Sequence, residues 1–255
     1  MRFGRKPPVH TLRTMRAGVA LHAALDPLGP APAISDDYVT SVTAQSPQGW
    51  VCWWNDSLGD CVAEDSGHAL MLRTANAGSI VIPSAQDILG LYEAVGGYKP
   101  GDPSTDRGCD ESSMCQYLET SGLCGHRSAG SGPIDPARLD HIRWAVQIFG
   151  SCRLGITVTQ SMMDAFSAGQ PWEKVSGDVL GGHDVPVVRY DAEYAWVVTW
   201  GKLQPITWTL MGESAFLEEA NGEAWPDFCR AGGTAPNGFD LAGMLAKLAL
   251  VREAT

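Results

Sequence analysis

The chain has 255 residues, 44% of them hydrophobic and 18% charged, which predicts a packed core and excludes global disorder. Its formal net charge of −11 argues against a general nucleic-acid binder, and no apolar run approaches the ~20 residues a membrane helix needs. Seven cysteines, an odd number without C-x-x-C spacing, fit free thiols in a reducing, cytoplasmic compartment better than a disulfide framework or a thiol redox centre.

Residues 1–45 are rich in proline and glycine, carry Arg2, Arg5, Lys6, Arg13 and Arg16, and show little periodicity. They read as an extended basic arm, either a solvated tail or a segment that docks on a larger assembly. The apolar stretch Ala17 to Leu25 contains His22 and is followed by Asp26-Pro27, which argues against a signal peptide.

Residues 46–150 read as a helical lobe. A helix is predicted over 61–76, ending at Gly78, and a second opens at Pro83-Ser84-Ala85-Gln86-Asp87 and stops at Gly96-Gly97. A polar loop runs from Gly97 to Ser113. Its three aspartates, Asp102, Asp106 and Asp110, lack EF-hand spacing and suit a hydrogen-bonded loop better than a calcium site. Two further helices are expected over 113–120 and 136–149. Residues 151–255 read as a β lobe, with alternating strands over 152–158, 185–190, 194–200 and 206–210. An amphipathic helix with Leu241, Met244, Leu245, Leu248 and Val251 on one face closes the chain. Helices first and strands later define an α+β, two-lobed fold class.

Cys61 carries the most chemical information. It follows Gly59-Asp60 and opens a helix, where the helix dipole favours the thiolate. Asn55 lies six residues upstream, and Gly181-Gly182-His183 opens a strand far downstream. A cysteine, a distant histidine and an upstream amide are the parts of a thiol acyl-transfer site. Other clusters read more plainly. Cys109, Cys115 and Cys124 are expected to be buried or loop thiols, with a zinc site including His126 as the alternative. His68 shares a helix face with Cys61 and Glu64 and is expected to be packed or paired with Glu64 rather than to bind metal. No cofactor is implied.

The order of Cys61, then His183 on a strand, then Trp200-Gly201 resembles the papain-like cysteine peptidases. Gly182-His183-Asp184-Val185-Pro186-Val187-Val188-Arg189-Tyr190 is similar to the family's histidine strand, and Val198-Thr199-Trp200-Gly201 to its Asn-Ser-Trp-Gly. The resemblance implies a papain-like fold with the site between the lobes, Cys61 as nucleophile and His183 as base and later acid. Asn55, where the family has glutamine, would join the Cys61 N–H in an oxyanion hole. The family's orienting asparagine falls at Val198, which has no polar side chain; Thr199 or Asp184 would have to orient the imidazole, and Trp200 would shield it.

Gly4-Arg5-Lys6-Pro7, Asp102-Pro103-Ser104-Thr105-Asp106-Arg107-Gly108 and Ala235-Pro236-Asn237-Gly238-Phe239-Asp240-Leu241 resemble phage and prophage papain-like proteins of unassigned role. Two readings follow. One is a thiol hydrolase, peptidase or amidase, with a peptide or amide substrate. The other is a weak or inactive papain-fold virion protein that docks on other virion proteins through residues 1–45.

Overall fold

A computed structural model describes residues 1–229, 233–244 and 246. Its helices are α1 (Leu12–Leu25), α2 (Val39–Gln45), α3 (Cys61–Ala77), α4 (Ala85–Gly96), α5 (Glu111–Thr120), α6 (Leu139–Phe149), α7 (Gln160–Ser167) and α8 (Trp208–Met211). Its strands are β1 (Gly130–Ile134), β2 (Cys152–Thr159), β3 (Val179–Tyr190), β4 (Tyr194–Thr199), β5 (Lys202–Thr207) and β6 (Leu217–Ala224). The strands form one antiparallel sheet in the order β1-β6-β2-β3-β4-β5.

Local chemistry explains most element ends. Ser84 and Asp87 form a capping box at the start of α4, and Gly97 ends it in the left-handed conformation that glycine adopts without a Cβ clash. Asp110 caps α5 by accepting the Ser113 N–H. The β4–β5 hairpin turns on Trp200 and Gly201, both at positive φ. Such two-residue turns match the strand twist, but a tryptophan at φ 45° is unusual and must be held by its surroundings.

Two apolar cores flank α3. The larger lies on the sheet and takes in α1, α2, α6 and the distal part of α3. The smaller joins the first residues of α3 to α4, α5 and Trp225. Helix α3 runs between them and is buried at every position from Cys61 to Ala75. Its polar residues therefore need internal partners. His68 Nε2 sits 2.7 Å from the Val51 carbonyl, and its ring lies against Trp50 and Trp53. Arg73 donates to the Phe149 carbonyl and Ser151 Oγ.

The structure departs from the sequence reading in several places. Residues 1–45 are not an extended arm: α1 packs on β1, α2 packs on α3, and residues 2–9 run into the molecule. Helix α6 belongs with the sheet, packing on β6 and β2, although it precedes residue 151. The stretch expected as a strand over 206–210 is divided between the end of β5 and α8. Strands β1 and β6 carry weak alternation; they and helix α7 are additions to the sequence reading. His68 is packed as expected but faces Val51 rather than Glu64, whose Oε1 accepts the Trp53 N–H at 2.7 Å. Residues 241–244 are helical, with Leu241 and Met244 in the core; Leu245, Leu248 and Val251 lie outside the described residues.

All seven cysteines are unpaired. Cys109 and Cys115 are buried and Cys124 is exposed. Among the described residues no group of three or more His, Cys, Asp or Glu is placed to hold a metal ion, and no helix is long and apolar enough to cross a membrane.

Candidate active site

Cys61 is the first residue of α3, and its side chain is buried. Its thiol lies against the backbone of Gly4 and of Asp184, the residue after His183. His183 lies on β3, equally buried, with Nε2 2.8 Å from Thr199 Oγ1. The Trp200 ring stacks on the imidazole at 4.7 Å and 12°. Phe166, Trp172 and Phe3 pack edge-on around Trp200, which holds the strained turn residue in place. His183 Nδ1 is buried without a hydrogen-bond partner.

The other anticipated residues divide. Thr199 Oγ1 is within hydrogen-bond distance of the imidazole and Trp200 stacks on it. Asp184 points elsewhere: its carboxylate accepts from Arg153 Nη1 at 2.6 Å. Asn55 is buried, and its Nδ2 lies 3.4 Å from Asp60 Oδ1, so one of its protons is directed at that carboxylate.

Residues 2–9 lie across this site as a strap. Arg5 pairs with Cys109 as a parallel bridge: the Cys109 N–H donates to the Gly4 carbonyl at 3.0 Å, and the Lys6 N–H to the Cys109 carbonyl at 3.0 Å. On the other side the Arg5 N–H donates to the Gly182 carbonyl at 3.1 Å. The strap thus bridges the α5 side of the cleft and the histidine strand. Phe3 meets the His183 ring edge-on at 5.9 Å. Arg2 is ion-paired with Asp106, which also accepts from Tyr92 Oη and the Gly59 N–H. The aspartate-rich loop therefore anchors the strap. The fit is close enough that a Cβ on Gly4 would overlap the Gly59 carbonyl, and one on Gly108 the Gly4 carbonyl.

Burial governs the charge state under the strap. It raises the Cys61 thiol well above its ordinary value, with the Asp184 carboxylate adding to the effect. It lowers His183 to about 3, and the nearby Arg5 charge acts in the same direction. The helix-dipole expectation of a thiolate is thus overridden in this closed arrangement, and both groups are neutral.

Beneath the site lies a buried ion network that the sequence reading did not anticipate. Arg153 of β2 reaches Asp65 of α3 at 3.1 Å, Asp184 of β3 at 2.6 Å and Glu223 of β6 at 2.9 Å. Arg73 lies 3.7 Å from Glu223. The signal available in the sequence was Arg153 itself, a cation inside an otherwise apolar strand run. An unpaired charge there would be very costly, so partners were required.

No protein-family model matches the chain, and no curated protein matches it in sequence. Solved structures do match in fold. Xylellain, a cysteine protease from Xylella fastidiosa, aligns with a TM-score of 0.63 at 13% identity, over 87% of this chain and 95% of that one. Procathepsin B S9 from Trypanosoma congolense aligns at 0.56 and 15% identity, over 86% and 85%. The Carica candamarcensis cysteine protease CMS1MS2, in complex with E-64, aligns at 0.51 and 15%, over 75% and 98%. The fold is papain-like, as the sequence resemblance implied.

Proposed function

We propose that the chain is a papain-like thiol hydrolase of peptide or amide bonds, held latent by its own N-terminal strap. Cys61 is the nucleophile. His183 takes the thiol proton as sulfur attacks the carbonyl carbon, then delivers it to the departing amine. Water hydrolyses the thioester, and the proton returns to sulfur. Thr199 holds the imidazole by Nε2, leaving Nδ1 for the proton transfers. The Cys61 N–H and the second proton of Asn55 Nδ2 stabilise the oxyanion. The observation that carries this reading is that the Cys61 thiol lies against the backbone of Asp184, the residue after His183, whose buried Nδ1 has no hydrogen-bond partner.

The test is site-resolved alkylation of Cys61 by iodoacetamide as a function of pH. Three chains are compared: wild type, Gly4→Ala and Gly4→Ala/His183→Ala. The overlap of a Gly4 Cβ with the Gly59 carbonyl dislodges the strap. Wild type is expected to react slowly. Gly4→Ala is expected to react well below pH ~8.5, the free-thiol value, and to lose that advantage without His183. Cys61 inert in all three chains would remove the physical basis for an enzyme and favour a structural protein.

A further inference from the structure

The strap does more than cover the thiol: it places a guanidinium in an acidic pocket next to it. Arg5 is buried, ion-paired with Glu218, and its Nη1 lies 3.5 Å from Glu219 Oε2. Glu111 is fully buried; Asn221 Nδ2 donates to its Oε2 at 2.8 Å, while its Oε1 has no hydrogen-bond partner. Arg5 Nε is likewise without a partner. These two orphaned groups border one space, which exists because residue 155 is glycine: a Cβ there would overlap Glu111 Oε1 and lie 2.8 Å from Arg5 Cδ and 2.9 Å from Nε. The other buried cation nearby, Arg153, is committed to Asp65, Asp184 and Glu223.

The pocket is built from fixed parts of the fold, whereas its occupant is on the strap. Glu111 opens α5, Glu218 and Glu219 lie on β6, and Gly155 is on β2 beside them. Withdrawing the strap would leave Glu218 and the buried Glu219 without the cation now ion-paired with them, next to the buried Glu111, a cost that falls chiefly on Glu219. The pocket directly adjoins the proposed catalytic pair. Arg5 N–H bonds to Gly182, immediately before His183, and Gly4 touches the Cys61 thiol.

From these contacts we infer that the pocket formed by Glu111, Glu218, Glu219 and Gly155 is the substrate-specificity pocket, that it takes an arginine side chain of a peptide substrate, and that Arg5 occupies it in the latent state. The inference rests on the hydrolase reading for the word substrate. The guanidinium pocket itself does not depend on that reading, and the experiment separates the two.

Full-length Gly4→Ala and Arg5→Ala chains are titrated calorimetrically with acetyl-Phe-Gly-Arg-Lys-amide and with its citrulline twin, which keeps the shape and removes the charge. Each chain is then given a mixed peptide library, with cleavage sites read by mass spectrometry. The arginine peptide is expected to bind about tenfold or more tightly than the citrulline peptide, the scale of a lost charge-assisted hydrogen bond. That ratio should collapse when Glu219→Gln or Gly155→Ala is added, and cleaved peptides should carry arginine at one fixed position from the scissile bond. Equal binding of the two peptides, or selective binding by neither chain, overturns the pocket. Cleavage without arginine preference overturns the specificity and leaves the hydrolase standing. Selective binding with no cleavage of any peptide overturns the hydrolase reading and leaves a guanidinium-binding pocket.

Discussion

Thr199 shows how much one atom's position decides. The neighbouring Val198 is in the core of the β lobe, while Thr199, one residue on and therefore on the opposite face of β4, places Oγ1 2.8 Å from His183 Nε2. A hydroxyl can act as donor or acceptor, so it can follow the imidazole through its protonation cycle. Thr199→Val should leave a buried ring nitrogen without a partner, at a cost of about 1–3 kcal/mol in urea denaturation. In the Gly4→Ala background it should also shift the pH profile of Cys61 alkylation toward that of the His183→Ala chain. A loss of stability with an unchanged profile would make Thr199 a packing residue only.

At the scale of the element, α3 carries an unusual load at its start. Burial raises Asp60 to about 7, and raises Glu64 to about 8 with the Asp60 charge adding to it. Both sit above the ordinary carboxylate values of 3.8 and 4.5, so the fold retains protons that the unfolded chain releases. Their contribution to stability is complete below pH ~4 and is lost as pH rises through about 7 to 8. Buried His68 and His183 act in the opposite sense. They stay neutral in the fold down to about 4 and about 3, while the unfolded chain protonates near 6.5, so their contribution is lost as pH falls below 6.5. Above pH 6.5 the histidines no longer matter and the carboxylates set the slope. The denaturation midpoint should therefore drop between pH 6.5 and 8.5, and Glu64→Gln, which keeps an acceptor for the Trp53 N–H, should flatten that drop. An unchanged slope in Glu64→Gln would show that Glu64 is ionised throughout.

At the scale of the whole molecule, Arg153 joins the two cores. Its three carboxylate partners come from α3, β3 and β6, so the helix bearing Cys61 and the strand bearing His183 share one buried cation. Replacing Arg153 with methionine keeps much of the volume and abandons three buried carboxylates. The expected loss is about 3–5 kcal/mol, measured by urea denaturation. A cost under ~1 kcal/mol would mean that the network is hydrated and contributes little.

The sequence by itself determined the parts that local chemistry controls. Helix α3 with Cys61 at its head follows from a Gly-Asp turn and a helix-forming run. The strands at 152, 185 and 194 follow from runs rich in β-branched and aromatic residues, and the His183 and Trp200-Gly201 strings pointed to a papain-like fold. Only the tertiary structure decided the rest. Residues 2–9 carry no local pattern because they are ordered by pairing with Cys109 and Gly182, more than a hundred residues away. The charge state of Cys61 likewise depends on what covers it: a free helix start favours the thiolate, but burial beneath the strap costs more than the dipole returns.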